Sequence, residues 1–356
     1  MESASSAQDA LKMSEKDFWY IVAESKDLKA KNVLPVTLLT EWIALYRDET
    51  GQATAIVDRC FHRNARLSNG EVRSGELVCP YHGWRYGAKG QIMAIPSEGT
   101  RFETKANRCA KSFSCVEKEG YIYVRMNSRP ADSLKSLEPF AIPFLSKPGY
   151  SHIRLKHVFN ANVPNCAENF IDIPHTSFVH PNIFRYQHAP QSLLAEMEQE
   201  NGNVHIRYRK ETSNFGFFSK FLNSDGGEIF HEDHYFLPNV THVEYRIGKK
   251  RHFNITSQSV PVAPGETHVY TDLTWDYGIW NFLSRPVVWW VAKKIIEQDV
   301  RIMRQQAEVI QKYGETFAST KSDLQHVWIE KIYSELLAGR DPRLLPAKKE
   351  TVEFWI

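Results

Sequence analysis

Two short segments, Cys60-Phe-His62 and Cys79-Pro-Tyr-His82, stand sixteen residues apart and narrow the possible folds more than any other feature of the chain. Each sets a thiol beside an imidazole in or next to a turn-like stretch. Two Cys and two His in paired short spacings can hold one zinc ion or a two-iron cluster. One such residue alone reads as a buried thiol or a satisfied core histidine; four at this spacing read as a metal site. The surrounding residues are β-rich. Segments 33–39, 42–46, 53–57 and 121–126 have strand character, and Asp48-Glu-Thr-Gly51 reads as a hairpin turn.

With 356 residues, the chain has room for a second and larger domain with its own core. A polar, proline-dotted stretch over residues 127–148 is the natural boundary. It divides the chain into a leader (1–17), a β-rich domain (18–128) and a second domain (129–356). In the latter, 151–160 alternates like a strand, and 165–180 reads as helical, interrupted at Pro174 and stopped at Pro181. Residues 185–203 are polar without a clear period and are expected to form a loop. Further on, Val204, Ile206 and Tyr208 share one face, as do Val269, Thr271, Leu273 and Trp275. Strands in succession without intervening helices imply an antiparallel sheet. Helices are expected over 286–313 and 323–338. The expected fold class is α+β, a β-rich domain followed by an antiparallel sheet covered by helices.

Composition removes several functions. Lys and Arg number 44 against 42 acidic residues, so no basic excess points to nucleic acid. The longest apolar run, Pro286-Val-Val-Trp-Trp-Val-Ala292, is far short of the roughly 20 residues that a membrane span requires. The first 16 residues are polar and carry no signal-peptide core. Five cysteines without framework spacing fit reduced thiols, and the expected compartment is the cytoplasm.

A second constellation lies between Asn165 and His180 and comprises Asn169, Asp172, His175 and His180. Asp172 and His175 are three apart, so on a helical turn they would share a face and could hydrogen-bond. A carboxylate commonly holds the second nitrogen of a metal-bound histidine in this way. His175 and His180 would splay on a straight helix, but Pro174 and Pro181 bend the segment. A carboxylate would complete the two-His, one-carboxylate triad of non-haem Fe(II) oxygenases. Asp299 is the candidate: Ile295 and Ile296 lie one turn before it, Ile302 and Met303 one turn after. An acid on an apolar helical stripe is costly unless paired or metal-bound. Its neighbour Glu297 has Lys293 and Arg301 at i−4 and i+4, the pattern of a solvated face. Other residues are set aside. His231-Glu-Asp-His234 is strand-like, so its histidines point to opposite faces. His157 shares a face with Ile153, Leu155 and Phe159 and reads as a core histidine, Cys109 and Cys115 read as buried thiols, and Cys166 has no motif role.

The segment Cys79-Pro-Tyr-His-Gly-Trp84 after Cys60-Phe-His62 resembles the Rieske [2Fe–2S] signature. With D-x-x-H-x-x-x-x-H about ninety residues later and E-Q-D-x-R-I-x-x-Q-Q beyond it, the chain resembles the catalytic (alpha) subunit of Rieske non-haem iron oxygenases. The likeness is greatest to the compact alpha-only branch that includes vanillate demethylase, dicamba monooxygenase and the saxitoxin-pathway hydroxylases. It implies a Rieske domain followed by a helix-grip-like catalytic domain. It implies Cys60, His62, Cys79 and His82 as [2Fe–2S] ligands and His175, His180 and Asp299 as ligands of a mononuclear Fe(II). Asp172 would bridge the two centres, and Asn169 would lie near the iron. Ala65 and Tyr81 stand where respiratory Rieske proteins have a disulfide, and Trp84 where they have a serine. Fewer hydrogen bonds to the cluster imply a potential near the low end of the Rieske range, about −150 mV. The implied activity is hydroxylation or oxidative demethylation of a small, cyclic, largely apolar molecule with O2. Electrons would come from NAD(P)H through a separate reductase or ferredoxin, and the implied assembly is a homotrimer with transfer between subunits. A cluster-bearing electron carrier or redox sensor is the alternative, with nothing required at His175, His180 and Asp299; a zinc-stapled binding module is a third.

Overall fold

Short apolar runs broken by tight turns give the first unit, residues 16–140, ten strands among its described residues in the computed structural model. The structure describes residues 12–101, 109–127, 137–181, 183, 192–209, 229–248 and 251–356. Strands β1 (Tyr20–Glu24), β2 (Leu34–Leu38), β3 (Glu41–Arg47), β4 (Ala53–Val57), β5 (Glu71–Arg73), β6 (Glu76–Val78), β7 (Arg85–Tyr86), β8 (Ile92–Ala94), β9 (Ser112–Lys118) and β10 (Tyr121–Arg125) form two sheets. One has the order β1-β10-β9-β4-β3-β2 and the other β5-β6-β7-β8. The β3–β4 hairpin closes where the sequence places it: Asp48 Oδ1 accepts the backbone N–H of Thr50 and Gln52 at 2.9 and 3.0 Å. Its Gly51 takes φ +83°, a conformation that costs glycine nothing. Cys60 and Cys79 sit in the core of this unit with Tyr46, Leu77, Trp84 and Tyr86.

The second unit comprises residues 141–356 together with residues 12–15. Its strands are β11 (Ser151–Phe159), β12 (Ser192–Glu200), β13 (Asn203–Arg209), β14 (Ile229–Phe236), β15 (Val240–Ile247), β16 (Arg251–Ala263), β17 (Glu266–Asp276) and β18 (Lys348–Trp355). They form one antiparallel sheet in the order β11-β17-β16-β15-β14-β13-β12-β18. Among the described residues four α-helices accompany it: α1 (Val163–Ile171), α2 (Thr176–Val179), α3 (Asn281–Tyr313) and α4 (Leu324–Leu337). The expected antiparallel sheet and both long helices are present. Strand β12, however, occupies nine residues of the stretch read as a loop. Leu193, Ala195, Met197 and Gln199 alternate into the core, and the buried Gln199 hides the period. The first part of that stretch, 185–191, lies outside the described residues, as do 1–11 of the leader and 128–136 of the boundary. The described end of the leader is tied down, with Lys12 bridged to Arg340 and the Tyr333 hydroxyl donating to Glu15. Among the described residues no helix is long and apolar enough to cross a membrane.

Helix α3 is tied to the sheet at Trp275, whose fully buried indole belongs to the same core cluster as Ala292, Ile296 and Met303 of the helix. Its Nε1–H donates to Ser284 Oγ of α3 at 2.9 Å. Trp275→Ala opens a cavity under α3 and removes that bond, and should cost about 3–5 kcal/mol. Denaturant unfolding followed by far-UV circular dichroism measures it; a loss under about 1 kcal/mol would mean that α3 is held by other contacts.

Candidate metal centres and active-site cavity

In the first unit the two Cys–His loops are conformational twins. Asn64 N–H returns to Cys60 O at 3.0 Å and Cys60 N–H donates to Ala65 O at 2.8 Å. Gly83 N–H returns to Cys79 O at 3.0 Å and Cys79 N–H donates to Trp84 O at 2.8 Å. Both loops turn at a left-handed residue, Asn64 at φ +59° and Gly83 at φ +70°; Asn and Gly are the residues that tolerate it. This repeated turn brings both thiols and both imidazoles to one place. The rings of His62 and His82 lie 4.6 Å apart, and His62 stacks on Trp84 at 4.7 Å. His62 Nδ1 is buried without a hydrogen-bond partner, as a metal-ligating nitrogen would be before its ion arrives. The loop of Cys60 is braced by buried Asp58, which accepts from Arg66 Nε at 2.6 Å and from Ser68 N–H at 2.7 Å. The donor set therefore fits a two-Cys, two-His cluster. Tyr86 adds an interaction that the sequence reading did not include: its hydroxyl lies 3.1 Å from Cys60 Sγ and accepts the Phe61 N–H at 3.0 Å. Cys109 is exposed, contrary to its reading as a buried thiol; its Sγ donates to Lys89 O on the surface.

In the second unit, Asn162 caps α1 by accepting the N–H of Asn165 at 2.9 Å. Pro174 has no N–H with which to continue α1 and disfavours helix in the residues before it, and the chain leaves α1 with Asp172 extended at φ −87°, ψ 109°. Asp172 and His175 therefore do not meet on a helical face, as expected from their spacing. They meet across the break: Asp172 Oδ2 lies 3.2 Å from His175 Nδ1 and 3.3 Å from the His175 backbone nitrogen. One turn of α2 then delivers His180, buried to 1% exposure, whose Nδ1 lies 2.9 Å from Gln298 Oε1 on α3. A carboxylate and an amide oxygen accept only, so each imidazole carries its proton on Nδ1. That leaves the two Nε2 atoms as the ones a metal would take, and both face Asp299 Oδ1, at 3.6 Å from His175 and 3.0 Å from His180. Asp299 is 4% exposed, and its Oδ1 has no hydrogen bond of acceptable geometry despite the closeness of His180. The three ligand atoms lie within 4.8 Å of one another and could hold a metal ion. Burial would lower the His175 pKa, but Asp172 and Asp299 push it up to about 10, so the site attracts positive charge. The same two histidines hold Asp299 below the usual carboxylate range against its burial. Glu297 points outward and lies 3.8 Å from Lys293.

Above this triad is a cavity with walls from α1, α2, α3 and strands β14–β17. Val243, Ile255, Leu273, Val291 and Ile295 make it mainly apolar, and Asn169 reaches it with a buried, unpartnered Oδ1. His231 and Asp233, set aside as a metal motif, split from His234 as alternation requires, yet both line the cavity. His231 Nε2 is 3.0 Å from Asp233 Oδ1, and its ring is sandwiched between Tyr208 and Tyr245 at 4.6 and 4.0 Å. On the opposite face, Glu232 and His234 cluster with His205. There Arg207 Nε, 2.5 Å from Glu232 Oε1, already supplies the cation. His157, read as a satisfied core histidine, is half-buried with Nδ1 unpartnered. Gln298 and His231 are the site residues that the motifs alone did not identify.

The architecture and its two donor sets define a class, a cluster-carrying β domain preceding a mononuclear-metal domain. Residues 18–114 match the Rieske [2Fe-2S] domain, and residues 159–338, just over half of the chain, match the vanillate O-demethylase oxygenase C-terminal domain. The chain belongs to the Rieske non-haem iron oxygenases of the vanillate O-demethylase type. It is 29% identical over 203 residues to methylxanthine N1-demethylase NdmA of Pseudomonas putida, a match that covers 54% of each protein. Chlorophyllide a oxygenase of Oryza sativa subsp. japonica is 30% identical over 190 residues, 52% of this chain and 33% of that protein. The matches thus span from about a third to about half of the curated relatives' own length. The fold is shared with dicamba monooxygenase bound to dicamba, at TM-score 0.75 and 21% identity, covering 92% of this chain and 98% of that one. It is shared also with NdmA of P. putida CBB5 with caffeine, at TM-score 0.73 and 20% identity, covering 94% and 96%.

With a cluster bound through Cys60, the sulfur has no proton and Tyr86 must be the donor. Tyr86→Phe removes about 1 kcal/mol of stabilisation that favours the more negative, reduced cluster, a fall in midpoint potential of roughly 40 mV. Protein-film voltammetry reads it directly, and an unchanged potential would mean that the hydroxyl does not act on the cluster.

Proposed function

We propose that this chain is the catalytic component of an oxygenase that hydroxylates or oxidatively demethylates a small, cyclic, largely apolar molecule. The observation that carries the reading is the convergence of His175 Nε2, His180 Nε2 and Asp299 Oδ1 beneath an apolar cavity. In this reading Cys60 and Cys79 hold one iron of a [2Fe–2S] cluster, and His62 and His82 hold the other. His175, His180 and Asp299 hold a mononuclear Fe(II). Bound there, iron supplies O2 activation with electrons delivered singly from the cluster.

The chain's own residues set the conditions. Asp172 and Gln298 fix the tautomer of the two histidines, so both Nε2 lone pairs stay available as ligands. Aliphatic walls exclude bulk water and hold a C–H bond of the substrate near the triad. The His231–Asp233 pair offers the far end of the substrate a polar contact in an otherwise greasy wall. Electrons come from NAD(P)H through a separate reductase or ferredoxin. Five unbridged cysteines are in keeping with a reducing compartment such as the cytoplasm.

The iron assignment has a direct test. Asp299→Ala should lose the mononuclear iron and keep the cluster spectrum, falling from about three irons per chain to about two. Glu297→Ala should keep all of them. If Glu297→Ala empties the site and Asp299→Ala does not, the ligand assignment is wrong, and a wild-type count of about two would favour an electron carrier.

We further place the electron transfer between subunits of a head-to-tail homotrimer, with His82 of one subunit approaching Asp172 of the next. Asp172 Oδ1 takes no hydrogen bond from the described residues and can accept a second N–H beside that of His175. Cys79→Ala lacks the cluster, His175→Ala lacks the iron, and each alone should be inactive. Co-expressed mixed trimers should regain part of the product formation, because a clusterless subunit can dock against an intact cluster. Mixed trimers that form and remain inactive would put the transfer within one chain.

A further inference from the structure

The first turns of α3 are apolar on two sides. On the inside Val288, Val291, Ala292 and Ile295 wall the cavity, joined by Tyr277 just before the helix. On the outside Ile279 (89% exposed), Trp280, Phe282 (82% exposed), Leu283, Val287 and Trp290 face solvent. Scattered exposed apolar residues are ordinary, whereas six within twelve positions form a patch that marks an interaction surface. Charge accompanies it with one sign. Between Asp276 and Glu297 there is no acidic residue, while Arg285, Lys293 and Lys294 are all present. Lys293 Nζ sits 5.2 Å from the ring centre of Trp289, and Lys294 Nζ 5.4 Å from that of Trp290. Aromatic rings bordered by cations are the chemistry of a bilayer interface, where the ring lies at the headgroups and the cation meets phosphate.

We propose that the outer face of residues 279–294 docks on an anionic lipid surface, lying in the headgroup region without crossing it. Lys293 already faces Glu297. A second copy of the chain on the same face would, however, bring Arg285 and Lys294 of both copies together. No acidic residue between 277 and 296 offsets them, whereas anionic lipid neutralises them. The docking face and the cavity wall are opposite sides of the same turns, about 10 Å apart. Resting on the oxygenase reading, this makes membrane-partitioning apolar compounds the substrate class: they would reach the cavity around α3 without passing through bulk water.

Flotation of the purified, cluster-loaded protein tests this without any turnover. The vesicles are equal parts phosphatidylglycerol and phosphatidylcholine, with pure phosphatidylcholine for comparison. The protein should float with the anionic vesicles at low salt, with a blue shift of tryptophan emission, and float less at high salt. The double variant Phe282→Glu with Leu283→Glu touches neither the cavity nor the metal ligands, so it should keep its iron and its visible spectrum. It should lose about tenfold or more of its partitioning. Arg285→Glu with Lys294→Glu should lose the preference for anionic lipid. The proposal is overturned if the wild type stays unbound at low salt, or if the Phe282–Leu283 variant floats undiminished. It is overturned equally if wild type fails to float and that variant lowers the oligomeric mass in sedimentation, which would assign the face to a second copy. Failure to float leaves the oxygenase reading standing, and an iron count of about two leaves the flotation result standing, so the two are judged separately.

Discussion

A buried carboxylate facing two imidazole nitrogens is the interaction around which the second unit is arranged. Asp299 lies on the apolar side of α3 at 4% exposure, where an isolated charge would be strongly unfavourable. The compensation comes from the broken segment after α1. Pro174 stops α1, Asp172 turns outward and catches His175, and one turn of α2 carries His180 to the same oxygen. Removing that break would carry α1 onward and part the two histidines. The Pro174 break is therefore as much a part of the site as the ligands are.

The first unit solves the same problem by repetition. Two loops with the same pair of backbone hydrogen bonds and the same left-handed fifth residue bring two thiols and two imidazoles together. Backbone bonds shape both loops, and Asp58 also braces that of Cys60. The protein thus preorganises the donors and leaves the metal little conformational entropy to remove. Tyr86 connects this geometry to tuning, since one hydroxyl both fixes the backbone at Phe61 and approaches the Cys60 sulfur.

Much of this was legible in the sequence because motif spacing and periodicity are local. Asp299 was separable from Glu297 by helix face alone, and β13 and β17 by alternation. What escaped depended on information the sequence holds only jointly. Strand β12 was hidden by Gln199, a polar side chain in an inward position. The Asp172–His175 contact was expected from a helical turn, but the extended backbone before Pro174 makes it instead. Gln298 sits between two recognisable acids, and its role appears only once α3 is rotated so that its amide meets His180. His231 was rightly separated from His234 by strand parity. Which of the two would line a cavity depends on the register of β13 and β15, which sets Tyr208 and Tyr245 on either side of it.

Helix α3 carries three demands along its 33 residues, and their order along the chain follows from physics. Its middle is apolar inward except at one acid, Asp299, and a carboxylate in a dry cavity interacts strongly with whatever it faces. Its later turns are charged and solvated, with exposed Arg301, Arg304 and Lys312. Its first turns face the cavity, so they are apolar within, yet they are apolar without as well. Cavity packing accounts for Val288, Val291 and Ala292. It gives no account of Phe282 and Leu283, which touch no part of it and raise the free energy of the protein in water. An exposed apolar face of this size is stable only with something to cover it, and the cations alongside favour a surface that is both greasy and negative.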